Sequence, residues 1–219
     1  MNADTARVQS KEEGLRLVLA ARGAGVRNQR VLEAMETVPR RRFVEALFEN
    51  QALDNTALPI PCGQTISQPA IVAQMTEALD VGPRDKVLEV GTGSGYQAAI
   101  LSRLARRVYS IERHPPLART AQQRLRALGY NNVAIKIGDG ARGWIEQAPF
   151  DSIIVTAAAE DLPSALYEQL RLNGVMVLPV GRTDATQTLL KVEKRPEGPS
   201  YTELALVRFV PLLEGVAKE

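Results

Sequence analysis

The sequence predicts a doubly wound α/β fold built on a mostly parallel sheet, and three observations predict it. Apolar strand-like runs alternate with helix-like runs through the centre of the chain, the first strand leads directly into a glycine-rich turn, and two β-like runs follow with no helix between them. The alternating region reads KVLEV from Lys86, a helix to about Leu104, RVYSIE from Arg107, a helix from Pro115 to Leu128, and VAIKIG from Val133. A short helix through Trp144, the strand FDSIIV, the helix PSALYEQL and the strand GVMVLPV complete it. Strands that alternate with helices pair in parallel, with both faces covered and right-handed crossovers.

Ahead of that region, Ser10 and Glu13 make a capping-box pattern before Leu15, Val18 and Leu19. Asn28 is placed to cap a second helix carrying Val31, Leu32 and Met35. In VPRRRFVEALF, Phe43, Val44 and Leu47 read as core-facing, and Arg40, Arg41 and Arg42 as solvated or paired with acids. Residues 52–68 are rich in Pro, Gly, Asn and Thr and read as a long irregular loop, a kind of segment that is usually either functional or disordered. Pro69 opens a helix whose Ile71, Val72, Met75, Ala78 and Leu79 share one face, and Gly82-Pro83 closes it. At the far end, the runs 188–193 and 201–210, joined by RPEGPS, predict an antiparallel hairpin at the sheet edge, followed by a tail.

Composition narrows the function. With 45% hydrophobic and 24% charged residues in a chain of 219, usage is that of an ordinary globular domain, and no stretch is apolar for the length of a bilayer span. The first ten residues lack the apolar segment and cleavage site of a secretory signal, so a cytoplasmic protein is expected. One cysteine, Cys62, forms no internal disulfide, and beside a single histidine, His114, it builds no zinc site, so no metal is expected. A net charge of +2 with scattered basic residues argues against nucleic acid as a partner.

In a doubly wound sheet the ligand sits beyond the carboxyl ends of the strands. Here the first strand runs into Glu89-Val90-Gly91-Thr92-Gly93-Ser94-Gly95, a turn that lets a ligand approach the backbone closely. Glu112 ends the second strand, where a carboxylate suits both hydroxyls of a ribose. The third strand ends in Gly138-Asp139-Gly140, with Asp139 placed to accept from an adenine amino group and the glycines keeping the wall thin. Any one of these acids alone is more often a solvated loop residue or helix cap; together with the glycine turn, at three consecutive strand ends, they describe an adenosine pocket. Tyr96 stands where a dinucleotide motif has its third glycine, and Glu89 puts an acid just before the turn, which suits a cationic ligand better than a polyphosphate. S-adenosylmethionine, with a sulfonium and no phosphate, is the expected cofactor ahead of a nicotinamide dinucleotide.

These residues resemble the bacterial form of the protein-L-isoaspartate O-methyltransferase family, from about Val31 to Val210. The most specific part is LPIPCGQTISQP at 58–69, which is similar to that family's own substrate-loop motif. VPRRRFV near residue 40, VLEVGTGSGYQAA, GDG, FDSIIVTAA, VLPVG and RFVPL follow the family in order. The resemblance implies a Rossmann-like class I S-adenosylmethionine-dependent methyltransferase fold in one domain: helices and substrate loop at 1–83, nucleoside-binding core at 84–182, strands and tail at 183–219. It implies a protein-repair reaction in which the carboxylate of an L-isoaspartyl residue, and of a D-aspartyl residue in some members, takes the methyl group. The resulting ester cyclises to a succinimide. It further implies a monomer that acts on damaged proteins and peptides and engages neither nucleic acid nor membrane.

By the same resemblance Ser67 is the active-site residue, orienting the substrate carboxylate without attacking anything. Thr65, Ile66 and Val210 would line the substrate peptide, and Gly63 would join Glu89, Gly91, Thr92, Gly93, Ser94, Glu112, Asp139 and Gly140 around the cofactor. Ser67 also reads as an N-terminal cap for the helix begun at Pro69, whereas a Ser67–His114 pair is not expected. Trp144 and Tyr109 are expected in the core or wall. Two departures stand out: Pro61-Cys62 where relatives carry a glycine-rich PIGxGQTIS, and Ala159 where a proline commonly follows TAA. The competing readings are a methyltransferase of RNA or small molecules, a nicotinamide oxidoreductase, and a non-catalytic binding module.

Overall fold

The computed structural model describes residues 3–182 and 184–218. Helices α1 (Ala3–Gly23) and α2 (Gln29–Thr37) lead to a small antiparallel hairpin, β1 (Leu58–Ile60) with β2 (Gln64–Ile66), and then to α3 (Pro69–Leu79). Next come β3 (Lys86–Val90), α4 (Tyr96–Ser102), β4 (Arg107–Glu112), α5 (Pro115–Ala127), β5 (Val133–Ile137) and β6 (Phe150–Val155). The chain continues through α6 (Ser164–Gln169), β7 (Leu170–Val180), β8 (Gln187–Arg195) and β9 (Gly198–Val207). The main sheet has the order β5-β4-β3-β6-β7-β8-β9. Its first five strands are parallel, and β8 and β9 are added antiparallel, the predicted edge hairpin.

Strand β3 shows why its sequence is apolar throughout. Val87 packs on the face covered by Leu17, Met35, Phe43 and Ile100, while Leu88 and Val90 pack on the opposite face with Ile111, Phe150 and Met176. Because side chains alternate, a strand buried on both faces has no exposed register. Glu89 is carried into the interior by that alternation and is fully buried.

Local signals set several element ends. Asn28 Oδ1 accepts from the amides of Arg30 and Val31 at 3.0 and 3.4 Å, the cap expected for α2. Pro69 occupies the first position of α3, which stops one residue before Asp80 in the left-handed conformation. Other expectations are corrected. Helix α1 begins at Ala3, so Ser10 lies within it and starts no helix, and the Ser10 side chain is outside the described part; Glu13 pairs with Arg41 instead. Phe43 and Val44 are buried, but Leu47 is 84% exposed, because 46–51 forms a 3₁₀ helix with its own period. Residues 52–68 are not wholly irregular, since they contain β1 and β2. Trp144 lies between two short 3₁₀ turns, Gly140–Arg142 and Ile145–Gln147, rather than within one helix. Tyr109 packs edge-on against both Trp144 and Phe150, as wall residues do.

Candidate functional site

A cleft opens at the carboxyl ends of β3, β4 and β6, where β3 has a parallel neighbour on each side. This is the switch point at which doubly wound sheets take ligands.

Its floor is the glycine turn. Gly91 has φ +95°, and its amide donates to the Ile111 carbonyl at 2.8 Å, which prolongs the β3–β4 pairing by one residue. A Cβ at Gly91 would collide with Thr156 Oγ1, which donates to the carbonyls of Val90 and Gly91 at 3.0 and 2.8 Å. Thr156 was not singled out from the sequence; its only signal is its place at the start of TAA, right after a strand. Glu112 is buried at the end of β4, with Oε2 accepting from the Gly93 amide at 2.8 Å and Oε1 from the His114 amide at 2.9 Å. Two amides thus hold the carboxylate still while each oxygen keeps a lone pair for the cleft.

Glu89 sits one layer below. Strand register sets Ser110 beside it, Ser110 Oγ donates a short hydrogen bond to Oε2, and Thr92 Oγ1 lies 2.5 Å from Ser110 Oγ. Oε1 has no hydrogen-bond partner among the described residues. Burial pushes the carboxyl up to about 8, against the bond from Ser110, so at neutral pH the group is mostly protonated.

The β1–β2 hairpin forms one rim. Cys62 and Gly63 have φ +62° and +66°, and the Gln64 amide donates to the Pro61 carbonyl at 3.4 Å, the pattern of a type I′ turn. Pro61 contributes its carbonyl there, so the missing proline N–H takes nothing from the turn. Pro59 faces Thr65 across the hairpin and cannot donate, so by the alternation of antiparallel pairs the Thr65 amide and carbonyl point away from β1. Ser67 follows, half-buried on the cleft wall. It does not cap α3: the cap position is Gln68, and the Ala70 amide donates to Asn55 Oδ1 at 3.0 Å. The Ser67 hydroxyl makes no hydrogen bond among the described residues. On the facing rim, the chain leaves β9 at Val207 and bridges the segment after β6 in parallel through Pro211 and Ala158; the Val210 carbonyl accepts from the Ala158 amide at 2.8 Å.

The fold thus brings Thr65, Ile66, Ser67, Gly91, Thr92, Gly93, Ser94, Glu112, Gly140 and Val210 to one cleft. Three expected residues are not on its wall. Gly63 is at the exposed hairpin tip, Glu89 is beneath the floor, and Asp139 accepts from the Ala141 amide at 3.0 Å with Arg142 Nε 3.4 Å away. His114 lines the cleft, but its ring and Ser67 share no hydrogen bond. Sequence reasoning missed Tyr96, Gln97, Phe209 and Leu212 as lining residues, because apolar and amide side chains carry no ligand signal by type. No group of three or more metal-ligating side chains occurs among the described residues, and none of their helices is long and apolar enough to cross a membrane.

Comparison with known proteins agrees with this geometry. The family model described as protein-L-isoaspartate(D-aspartate) O-methyltransferase matches residues 12–217. The protein-L-isoaspartate O-methyltransferase of Paracoccus denitrificans is 57% identical over 96% of this chain and 97% of its own. That of Parvibaculum lavamentivorans is 55% identical over the full length of both. A solved structure described as protein-L-isoaspartate O-methyltransferase superposes with a TM-score of 0.81 at 25% identity over 90% of this chain, which spans 65% of that structure's length. A Plasmodium falciparum structure with S-adenosyl-L-homocysteine bound shares the fold, with a TM-score of 0.77 at 24% identity over 90% of this chain and 96% of its own.

Proposed function

The chain belongs to the protein-L-isoaspartate(D-aspartate) O-methyltransferase family, and from that premise we propose how this cleft moves a methyl group from S-adenosylmethionine to the free carboxylate of an isoaspartyl residue. The cleft fits that cofactor on two counts. Glu112 offers the free lone pairs of an immobilised carboxylate, the right acceptor for ribose hydroxyls. Glu89 has a buried oxygen without a partner just before the glycine turn, and a cation nearby lowers the cost of ionising it. When bound, S-adenosylmethionine supplies a methyl group already activated by its sulfonium.

Every remaining task falls to this chain. The turn from Gly91 to Ser94 lets the cofactor approach the backbone, and Gly140 faces it from the end of β5. Gly63 and Asp139 enter the cofactor set on the family pattern alone, since neither lies on the cleft wall; Asp139 keeps lone pairs that Ala141 leaves free. The outward amide and carbonyl of Thr65, beside Ile66, pair with substrate main chain as an added strand, and Val210 borders it from the opposite rim. Ser67 donates its hydroxyl to the isoaspartyl carboxylate and aims one oxygen at the methyl carbon. That carboxylate, with a pKa of roughly 3.5, is ionised at neutral pH and needs no general base. Rate enhancement comes from alignment and exclusion of water. The following backbone amide nitrogen then attacks the ester carbonyl and methanol leaves with the amide proton, closing a succinimide whose hydrolysis returns some normal aspartate.

The observation that carries this reading is that an unpartnered serine hydroxyl and a doubly held carboxylate line the same cleft. The same reading takes the protein as a single-domain cytoplasmic monomer with no nucleic-acid or membrane partner, and D-aspartyl residues as a second substrate. Methyl transfer to matched isoaspartyl and aspartyl peptides tests it: only the first becomes labelled. Equal labelling of both, or of an RNA in their place, would overturn the substrate assignment.

A further inference from the structure

The arginine run at 40–42 has no part in the site described above, yet its three members behave differently. Arg41 pairs with Glu13 at 2.9 Å, and Arg42 is exposed. Arg40 is 1% exposed and makes no salt bridge among the described residues, so the expectation that it is solvated or acid-paired does not hold. Its Nε donates to the Ala52 carbonyl at 2.9 Å and its Nη2 to the Thr56 carbonyl at 3.4 Å, while Nη1 has no partner. The guanidinium carbon lies 5.0 Å from the ring centroid of Tyr96. A buried guanidinium without a carboxylate is expensive, and an apolar side chain of similar volume commonly serves stability as well or better. Fold stability is therefore a poor reason for this residue.

What it joins supplies a better one. Ala52 and Thr56 bracket the segment that enters β1 at Leu58, and Asn55 within that segment caps α3. Between them they fix the root of the hairpin that leads into Ser67. Tyr96 opens α4 directly after the glycine turn and lines the cleft. We propose that Arg40 is a positioning residue that pins the root of the substrate hairpin to Tyr96 and so sets the reach from Ser67 to the glycine turn. The planar fork holds two carbonyls at once, which a lysine ammonium on a flexible stem cannot reproduce.

The inference rests on the methyltransferase reading, so wild-type labelling of the isoaspartyl peptide is measured first; its absence would defeat that reading and not this one. Arg40→Lys is then expected to lower kcat/KM for the peptide about tenfold or more. Its affinity for S-adenosylhomocysteine should stay within about threefold of wild type. Hydrogen exchange should quicken at the amides of 58–67 and stay unchanged in β3, whereas loss of global stability would quicken both. If the lysine variant does not fold, Arg40→Met, which leaves no charge to satisfy, is held to the same criteria. Unchanged peptide kinetics, an equal loss of cofactor affinity, uniform exchange, or failure of both variants to fold would each overturn the proposal.

Discussion

Replacing Glu89 by glutamine removes a titration that the fold imposes on its first parallel strand. Burial pushes that carboxyl from 4.5 up to about 8, with Ser110 donating to it and Glu112 adding a like charge nearby. Between those two values the folded chain keeps a proton that the unfolded chain has released. The stabilisation is complete below the unfolded value and is lost as pH rises through the folded one. The span from 4.5 to about 8 is 3.5 units, which at ~1.4 kcal/mol per unit amounts to about 5 kcal/mol. Glutamine does not ionise, so the variant lacks this slope. Urea unfolding at intervals from about pH 5 to about pH 8 should show wild type losing about 1.4 kcal/mol per unit relative to Glu89→Gln. Near pH 5 the variant should be the weaker by about 1–3 kcal/mol, since its amide buries an N–H without an acceptor. Parallel profiles over that range would mean that Glu89 ionises normally in the folded chain, and the account of the buried acid would be wrong.

Ser67→Ala is expected to cut peptide turnover about 10- to 100-fold, the worth of one hydrogen bond to a charged group. Calorimetry should show unchanged binding of S-adenosylhomocysteine, and normal turnover would remove Ser67 from the mechanism. Glu112→Gln leaves one of two donating amides, Gly93 or His114, facing an N–H; cofactor affinity should fall about tenfold or more by calorimetry, and wild-type affinity would refute the ribose assignment. Phe43→Ala should cost about 3–5 kcal/mol in denaturant unfolding, as for a buried ring. Leu47→Ala, four residues on and exposed, should cost less than about 0.5 kcal/mol. Comparable losses at the two positions would contradict the burial described for this turn.

Within the site, legibility divides by what each residue type can announce. Gly91 was legible because only a residue without Cβ tolerates its φ of +95° against Thr156, and Glu112 because an acid at a strand end advertises an acceptor. Asp139 carried the same signal and met a local partner first, the Ala141 amide two residues on, which is the usual fate of an aspartate before a helical turn. Ser67 had two readings, a cap or a substrate contact. The choice fell to Asn55, whose side chain takes the Ala70 amide from a different segment and leaves the serine free. Pro61-Cys62, a departure from the relatives' glycine-rich loop, proves compatible with a tight turn, because Cys62 adopts the left-handed conformation at the tip.

By itself the sequence determined the alternation of strands and helices from Lys86 onward, the parallel core with its antiparallel edge, the glycine turn and the family. These rest on backbone preferences and on the polarity of near neighbours, which are properties of short stretches of chain. Only the tertiary structure decided that Glu89 lies beneath the floor with its proton retained, that Leu47 faces solvent, and that Arg40 is buried between the hairpin root and Tyr96. Desolvation and long-range hydrogen bonding depend on which segments meet, and no window of residues contains both partners.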